Sequence, residues 1–219
     1  MAEFDQERRE LVIKLVYYGP ALSGKTTNLL SLHDRLNPQL KGELMTLETR
    51  GDRTLFFDLL PLGFRTRSGI LVKFKLYTVP GQVRHDSTRK AVLSRADGVV
   101  FVADSQRQQA LNNAESFQNL AENAQRVGLD FERLPLVVQF NKRDMEQILS
   151  EEEIRKRWSG ASWPLHFSSA INGEGVKETY ATLVGLVYSN IDPKYGLSVH
   201  HDVGREAFCE AALGEGTGS

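Results

Sequence analysis

Gly19, Gly24, Lys25 and Thr26 stand within "GPALSGKT", a stretch with Walker A spacing. It lies between a β-rich apolar run and a helix-forming segment, the context such a loop requires. Gly19 and Gly24 let backbone N–H groups close around phosphate oxygens, and the following helix turns its positive end toward them. Ala21, Leu22 and Ser23 complete the loop and Thr27 follows it, so this whole stretch is expected to line the phosphates. Lys25 is expected to reach the β- and γ-phosphates, and the Thr26 hydroxyl to ligate Mg²⁺.

A phosphate loop alone does not choose between ATP and GTP. "NKRD", Asn141 to Asp144, follows the apolar run "LPLVVQF" and supplies the choice. A carboxylate there accepts hydrogen bonds from guanine N1–H and the exocyclic amine. Adenine has no donor at those positions, so Asp144 would be left unpaired against ATP, which makes the site discriminating. Asn141 is expected to tie this loop to the phosphate loop, and the Lys142 stem to cover the base. In "SSAIN", the backbone N–H groups of Ser169 and Ala170 are expected to hold guanine O6.

Hydrolysis needs more. "RGDRTLFFD" brings Arg53 and Thr54 to the place where a mobile switch meets the γ-phosphate, and Thr54 is the candidate sensor of that phosphate and Mg²⁺. Gln82, after Gly81 in "LYTVPGQVRHD", is the candidate for positioning the attacking water. Arg53 is the candidate for neutralising transition-state charge; the plainer reading of it is a solvated loop residue. A metal-holding aspartate is expected three residues before Gly81, but Thr78 stands there. If the two strands around "GFRTRSG" turn near Arg67 and Ser68, Asp58 falls opposite Thr78, on the same sheet face. Asp58 is then either the charge standing behind the metal in a second shell or an edge charge facing solvent.

The elements that position these residues read as alternating strands and helices. "LVIKLVYY", "GVVFVAD", "LPLVVQF" and "PLHFSS" are apolar runs suited to buried parallel strands, and "TLFFDLLPL" with "ILVKFKLYTV" suits an antiparallel hairpin. Helical periodicity marks "KTTNLLSLHDRL", the segment from Gln109 to Val127, "EEEIRKRW" and "VKETYATLVGLVYSN". This is the pattern of a doubly wound α/β fold, a mostly parallel sheet with one antiparallel edge hairpin, and with the phosphate loop it resembles the P-loop, Ras-like folds. Its ligand site lies at the carboxyl ends of the strands. The nucleotide-binding domain is expected over residues 1–191. Residues 192–219 read as a C-terminal extension, a peripheral appendage with a short helix near Arg205 to Leu213 and a disordered tail.

Composition narrows the class. Apolar residues make up 41% of the chain, charged residues 25%, and the net charge is −1, as in an ordinary soluble protein without a field that draws nucleic acid or lipid. The single cysteine, Cys209, suits a reducing compartment, and the five histidines show no metal-ligand spacing. "MAEF" lacks the glycine for myristoylation and "GEGTGS" lacks a prenylatable cysteine, so an unanchored cytoplasmic protein is expected.

"KLVYYGPALSGKTTNL", "DRTLFFDLLPL", "FKLYTVPGQV", "RADGVVFVADSQ" and "NKRD" together resemble the MglA-type bacterial small GTPases, which govern cell polarity and gliding motility. The resemblance covers Leu11 to about Asn190, and "TLFFD" followed by "YTVPGQV" is its specific part. It implies that Arg53 acts as an arginine finger in cis with Gln82. It also implies a roadblock-fold, MglB-type dimer that rearranges the switches and speeds hydrolysis, with polar placement through such partners. The chain departs from the family at Ala21, where a glycine is usual, and at Arg84, His85 and Asp86, which replace an aromatic switch surface. The first departure implies slower hydrolysis with binding retained, the second altered partners. Alternative readings are a GTP-dependent scaffold that hydrolyses poorly, an Arf-like switch and, weakest, an ATPase.

Overall fold

The computed structural model describes residues 2–49, 55–81 and 86–215. Among these residues, eight strands form one sheet: β1 (Glu3–Asp5), β2 (Glu10–Tyr18), β3 (Met45–Thr49), β4 (Leu55–Arg65), β5 (Leu71–Thr78), β6 (Gly98–Asp104), β7 (Leu136–Asn141) and β8 (Leu165–Phe167). Their order is β3-β4-β5-β2-β6-β7-β8, with β1 pairing alongside β2. β5, β2, β6, β7 and β8 are mutually parallel, while β3, β4 and β5 pair antiparallel. Among the described residues, seven α-helices surround the sheet: α1 (Lys25–Arg35), α2 (Asp86–Leu93), α3 (Ala110–Arg126), α4 (Glu151–Arg157), α5 (Val176–Tyr195), α6 (Leu197–His201) and α7 (Arg205–Leu213).

Strand periodicity sorts the core into two layers. From β2, Leu11, Ile13, Leu15 and Tyr17 join Leu29 and Leu32 of α1 and Leu183 of α5 on one face. Val16 and Tyr18 join Val92 of α2, Leu120 of α3 and Ile154 of α4 on the other. β6 divides the same way, Val100 and Val102 against Val99, Phe101 and Ala103, and all of its residues are buried. A strand covered on both faces by helices loses its polar alternation, which is why "GVVFVAD" is wholly apolar up to its last residue. The expected doubly wound α/β architecture with one antiparallel hairpin is therefore present.

The hairpin turns where expected: the Gly69 N–H donates to the Thr66 carbonyl at 2.9 Å, and Leu59 pairs with Tyr77. Periodicity had indicated neither β1, β3, α2 nor α6. α2 buries Thr88 and Arg89 beside Val92 and Leu93, so its inner face carries no apolar stripe.

The C-terminal segment differs most from the expectation. The division at residue 192 falls inside α5, which continues to Tyr195. The helix near Arg205 to Leu213 is α7, and it is no appendage at its inner face. Phe208 is 1% exposed and packs its ring 5.6 Å from Phe64, 5.9 Å from Phe74 and 5.1 Å from Tyr188, centroid to centroid. Phe208, with Ala212 buried beside it and Cys209, Ala211 and Leu213 packed against the same core, fastens the helix to the hairpin and α5.

Candidate functional site

The phosphate loop leaves β2 at Tyr18 and enters α1 at Lys25, so the helix N-terminus faces the carboxyl edge of the sheet. Gly24 takes φ +94°, and a Cβ there would lie 2.2 Å from the Asn141 side-chain nitrogen, so the position admits only glycine. Lys25 is buried, its ammonium donating to the carbonyls of Pro20 at 2.6 Å and Gly19 at 3.2 Å. Burial pulls its pKa down to about 7, the Arg89 guanidinium adds to the fall, and Asp58 opposes it. A cation held so far from water is one that a phosphate group strongly stabilises.

Asp58 lies beside this loop. One residue beyond the Leu59–Tyr77 pair, its backbone N–H donates to the Thr78 hydroxyl at 2.9 Å, and that hydroxyl donates back to Asp58 Oδ2 at 3.0 Å. The same oxygen accepts from the Thr26 hydroxyl at 2.6 Å, while Oδ1 accepts from Thr46 at 3.1 Å. Asp58 is 7% exposed, so the geometry agrees with the inward alternative rather than the solvent-facing edge. A carboxylate bonded to the Thr26 hydroxyl suits a metal site in which Thr26 is the ligand and Asp58 stands behind it. Thr46 was not foreseen; it joins because β3, unread in the sequence, pairs Thr46 with Asp58. Lys25, Thr26, Thr27, Asp58, Thr78 and Gly81 line one cavity of about 370 Å³.

At the other end, Asn141 ends β7 and joins three loops. Its Nδ2 donates to the Ser23 carbonyl at 2.9 Å; its Oδ1 accepts from the Ser168 hydroxyl at 3.1 Å and the Ala170 N–H at 2.9 Å. The expected tie between "NKRD" and the phosphate loop is thus a direct hydrogen bond. Asp144 Oδ1 accepts from the Ser169 hydroxyl at 2.5 Å, which orients the carboxylate expected to read guanine.

Two expectations change here. The Ser169 N–H donates to the Glu174 carbonyl at 3.1 Å and the Ala170 N–H to Asn141, so both amides assigned to O6 have partners inside the protein. The turn that closes the "SSAIN" loop uses the first, and Ser169 contributes through its hydroxyl instead. Lys142 does not simply lie as a free cover: its ammonium pairs with the buried Asp104 of β6 at 2.7 Å, which fixes the direction of its stem. Leu22 is 87% exposed, so it offers backbone rather than packing to this region. Arg53, Thr54 and Gln82 lie outside the described residues, as do Arg84 and His85. Among the described residues, no helix is long and apolar enough to cross a membrane.

The comparisons with known proteins agree with this geometry. The sequence model of the ADP-ribosylation factor family matches residues 62–187. Mutual gliding-motility protein MglA of Myxococcus xanthus (strain DK1622) is 43% identical over 191 residues, which are 87% of this chain and 98% of that protein. ADP-ribosylation factor-like protein 4A of Homo sapiens is 27% identical over 183 residues, 79% of this chain and 82% of that protein, and the Mus musculus protein matches equally. The MglA-type resemblance and the Arf-like alternative therefore meet in one family. With phosphate loop, base-reading loop and sheet in this arrangement, the chain belongs to the ADP-ribosylation factor family, as an MglA-like small GTPase that binds guanine nucleotide and hydrolyses GTP.

Proposed function

We propose that this chain is a cytoplasmic GTP/GDP switch whose hydrolysis uses Mg²⁺, Gln82 and an arginine, Arg53, supplied in cis. The observation that carries this reading is the bond from the Thr26 hydroxyl to Asp58 Oδ2, beside Lys25 and Gly81. Thr26 and Thr54 would hold the metal, with Asp58 behind Thr26. When bound, Mg²⁺ neutralises charge between the β- and γ-phosphates. Lys25 holds the phosphates by its ammonium, and backbone N–H groups from Ala21 to Thr27 orient them. Gln82 orients the attacking water in line with the γ-phosphate, and Arg53 meets the charge that develops as the bond to the β-phosphate oxygen breaks. Asp144, aligned by Ser169, selects guanine.

The name of the Myxococcus relative concerns gliding motility. By that likeness the output of this switch is control of motility or cell polarity, exerted through the loops around Arg53 and Gln82. A roadblock-fold, MglB-type dimer would act as its GTPase-activating partner and recruit it to a pole. Arg84 to Asp86 alter the surface such a partner meets, so its affinity for an MglB-type protein is expected to differ from that of relatives with aromatic residues there.

Single-turnover GTP hydrolysis, with and without a roadblock-fold dimer, tests the reading. Arg53→Ala and Gln82→Leu should each slow the reaction by about 10²- to 10³-fold while nucleotide affinity holds. Wild-type rates in both variants would remove these residues from the mechanism.

A further inference from the structure

Gln139 stands in β7 two residues before Asn141 and has no accessible surface. The strand is otherwise apolar from Leu136 to Phe140, and an amide inside such a layer is costly unless its hydrogen bonds are made. The side-chain oxygen of Gln139 has no hydrogen-bond partner among the described residues. A buried acceptor left unpaired is destabilising, so a leucine here would serve packing better. Stability alone gives little reason for the amide.

Its nitrogen points to a different reason. Nε2 donates to Asn28 Oδ1 of α1 at 2.9 Å and to the Thr179 hydroxyl of α5 at 3.0 Å, so both of its hydrogens are used. Asn28 and Thr179 are themselves wholly buried. Each carries the connection to the turn that begins its helix: Asn28 Nδ2 donates to the Gly24 carbonyl at 2.9 Å, and the Thr179 hydroxyl to the Gly175 carbonyl at 2.6 Å. Gly24 belongs to the phosphate loop. Gly175 follows Glu174, which exchanges two backbone hydrogen bonds of 3.1 Å with Ser169, whose hydroxyl aligns Asp144. A Cβ on Gly175 would lie 2.2 Å from the Phe167 carbonyl, so this turn is also pressed against the end of β8. One amide thus joins the helix behind the phosphates to the helix behind the base reader.

Asn141 ties the same two regions through Ser23 and Ala170, and it projects from the same face of β7. Alternate residues of a strand are about 7 Å apart. A single tie sets a distance but lets its two ends pivot, whereas two ties at that separation also fix their relative orientation. A ligand gripped at both ends binds more tightly when that orientation is set beforehand.

We propose that Gln139 is a positioning residue for nucleotide binding: with Asn28 and Thr179 it holds the phosphate loop and the Asp144 loop in one fixed relation, so that guanine and diphosphate are met together. This rests on the assignment of Asp144 to guanine made above.

The test is equilibrium affinity for GDP, GMP and inosine diphosphate, in Mg²⁺, by wild type, Gln139→Leu, Thr179→Val and Asp144→Ala, with thermal unfolding of each. GMP lacks the β-phosphate and inosine diphosphate the exocyclic amine. The ratios of their Kd to that of GDP therefore report how fully each end of the nucleotide is used. Gln139→Leu should raise the Kd for GDP about tenfold and lower both ratios by about three- to tenfold. Thr179→Val, which keeps the shape and removes the hydroxyl, should lower both ratios by less. A variant weakened only in its fold has a lower Tm with both ratios at their wild-type values. That result in Gln139→Leu, a wild-type Kd for GDP, or a fall in one ratio alone would overturn the proposal. Should Gln139→Leu not fold, Thr179→Val decides: lowered ratios support the coupling and unchanged ratios overturn it. If Asp144→Ala loses the distinction between GDP and inosine diphosphate and Gln139→Leu keeps it, only this inference falls. If Asp144→Ala distinguishes them as wild type does, the assignment of Asp144 falls and takes this inference with it.

Discussion

Phe208→Ala offers a direct measure of whether the C-terminal segment is part of the folded unit. The Phe208 ring is 1% exposed and stands within 5.1–5.9 Å of the rings of Tyr188, Phe64 and Phe74. Truncating a wholly buried phenylalanine removes its transfer free energy and leaves a cavity, at a cost of about 3–5 kcal/mol. Edge-to-face contacts to Phe64 and Phe74 and a tilted contact to Tyr188 place the expected value in the upper half of that range. In a chain of this size each kcal/mol lowers Tm by roughly 2–4 °C, so the fall should be roughly 6–20 °C. Thermal unfolding is best followed with nucleotide and Mg²⁺ at one fixed excess, because bound ligand contributes to apparent stability. Glu206→Ala, on the exposed side of the same helix, is the control and should stay within about 0.5 kcal/mol of wild type. A Phe208→Ala transition within about 2 °C of wild type would mean that α7 is not fastened to the core in solution, and the packing argument would fail.

Three further outcomes are expected. Asp58→Asn should weaken Mg²⁺-dependent nucleotide affinity by about tenfold or more, since Asp58 accepts from Thr26, Thr46 and Thr78; a magnesium titration superimposable on wild type would dismiss its role. Ala21→Gly should raise the hydrolysis rate while leaving affinity in place, because the loop at Ala21 abuts Gly81; equal single-turnover rates would count against it. Asp86 carries the pH prediction: burial alone would raise its pKa, but bonds from Asn123, Asn119 and Lys90 prevail and hold it at about 2. A folded value below the unfolded one means that the stability Asp86 contributes is present above about pH 4 and is lost as pH falls toward 2. The difference in Tm between wild type and Asp86→Asn should therefore shrink as pH falls from about 4 toward 2; a constant difference would refute the assignment.

Much of the nucleotide site was legible before folding was considered. Gly19 to Thr26 and Asn141 to Asp144 are contiguous, so local spacing suffices to recognise them. Even the opposition of Asp58 and Thr78 followed from counting back from the turn, and the Leu59–Tyr77 pair bears that register out. Arg89 was not legible, because a charged residue in "DSTRKAVL" reads as a surface residue unless the chain already supplies its partners from β2 and α3. Thr46 was missed because β3 is five residues long and has no apolar run. The Ser169 N–H was misassigned because a turn closing five residues later claims it.

Local pattern, then, marks most of the strands and helices and the two loops, "GPALSGKT" and "NKRD", that point to a guanine nucleotide. Each depends on neighbours a few residues apart. Whether Asp58 points inward, how Lys142 and Asp144 are aligned, why Arg89 is buried and that Phe208 belongs to the core are decided only in the tertiary structure. In each case the deciding partner lies far along the chain, and the free energy of burying a charge or a ring has no value until that partner is in place.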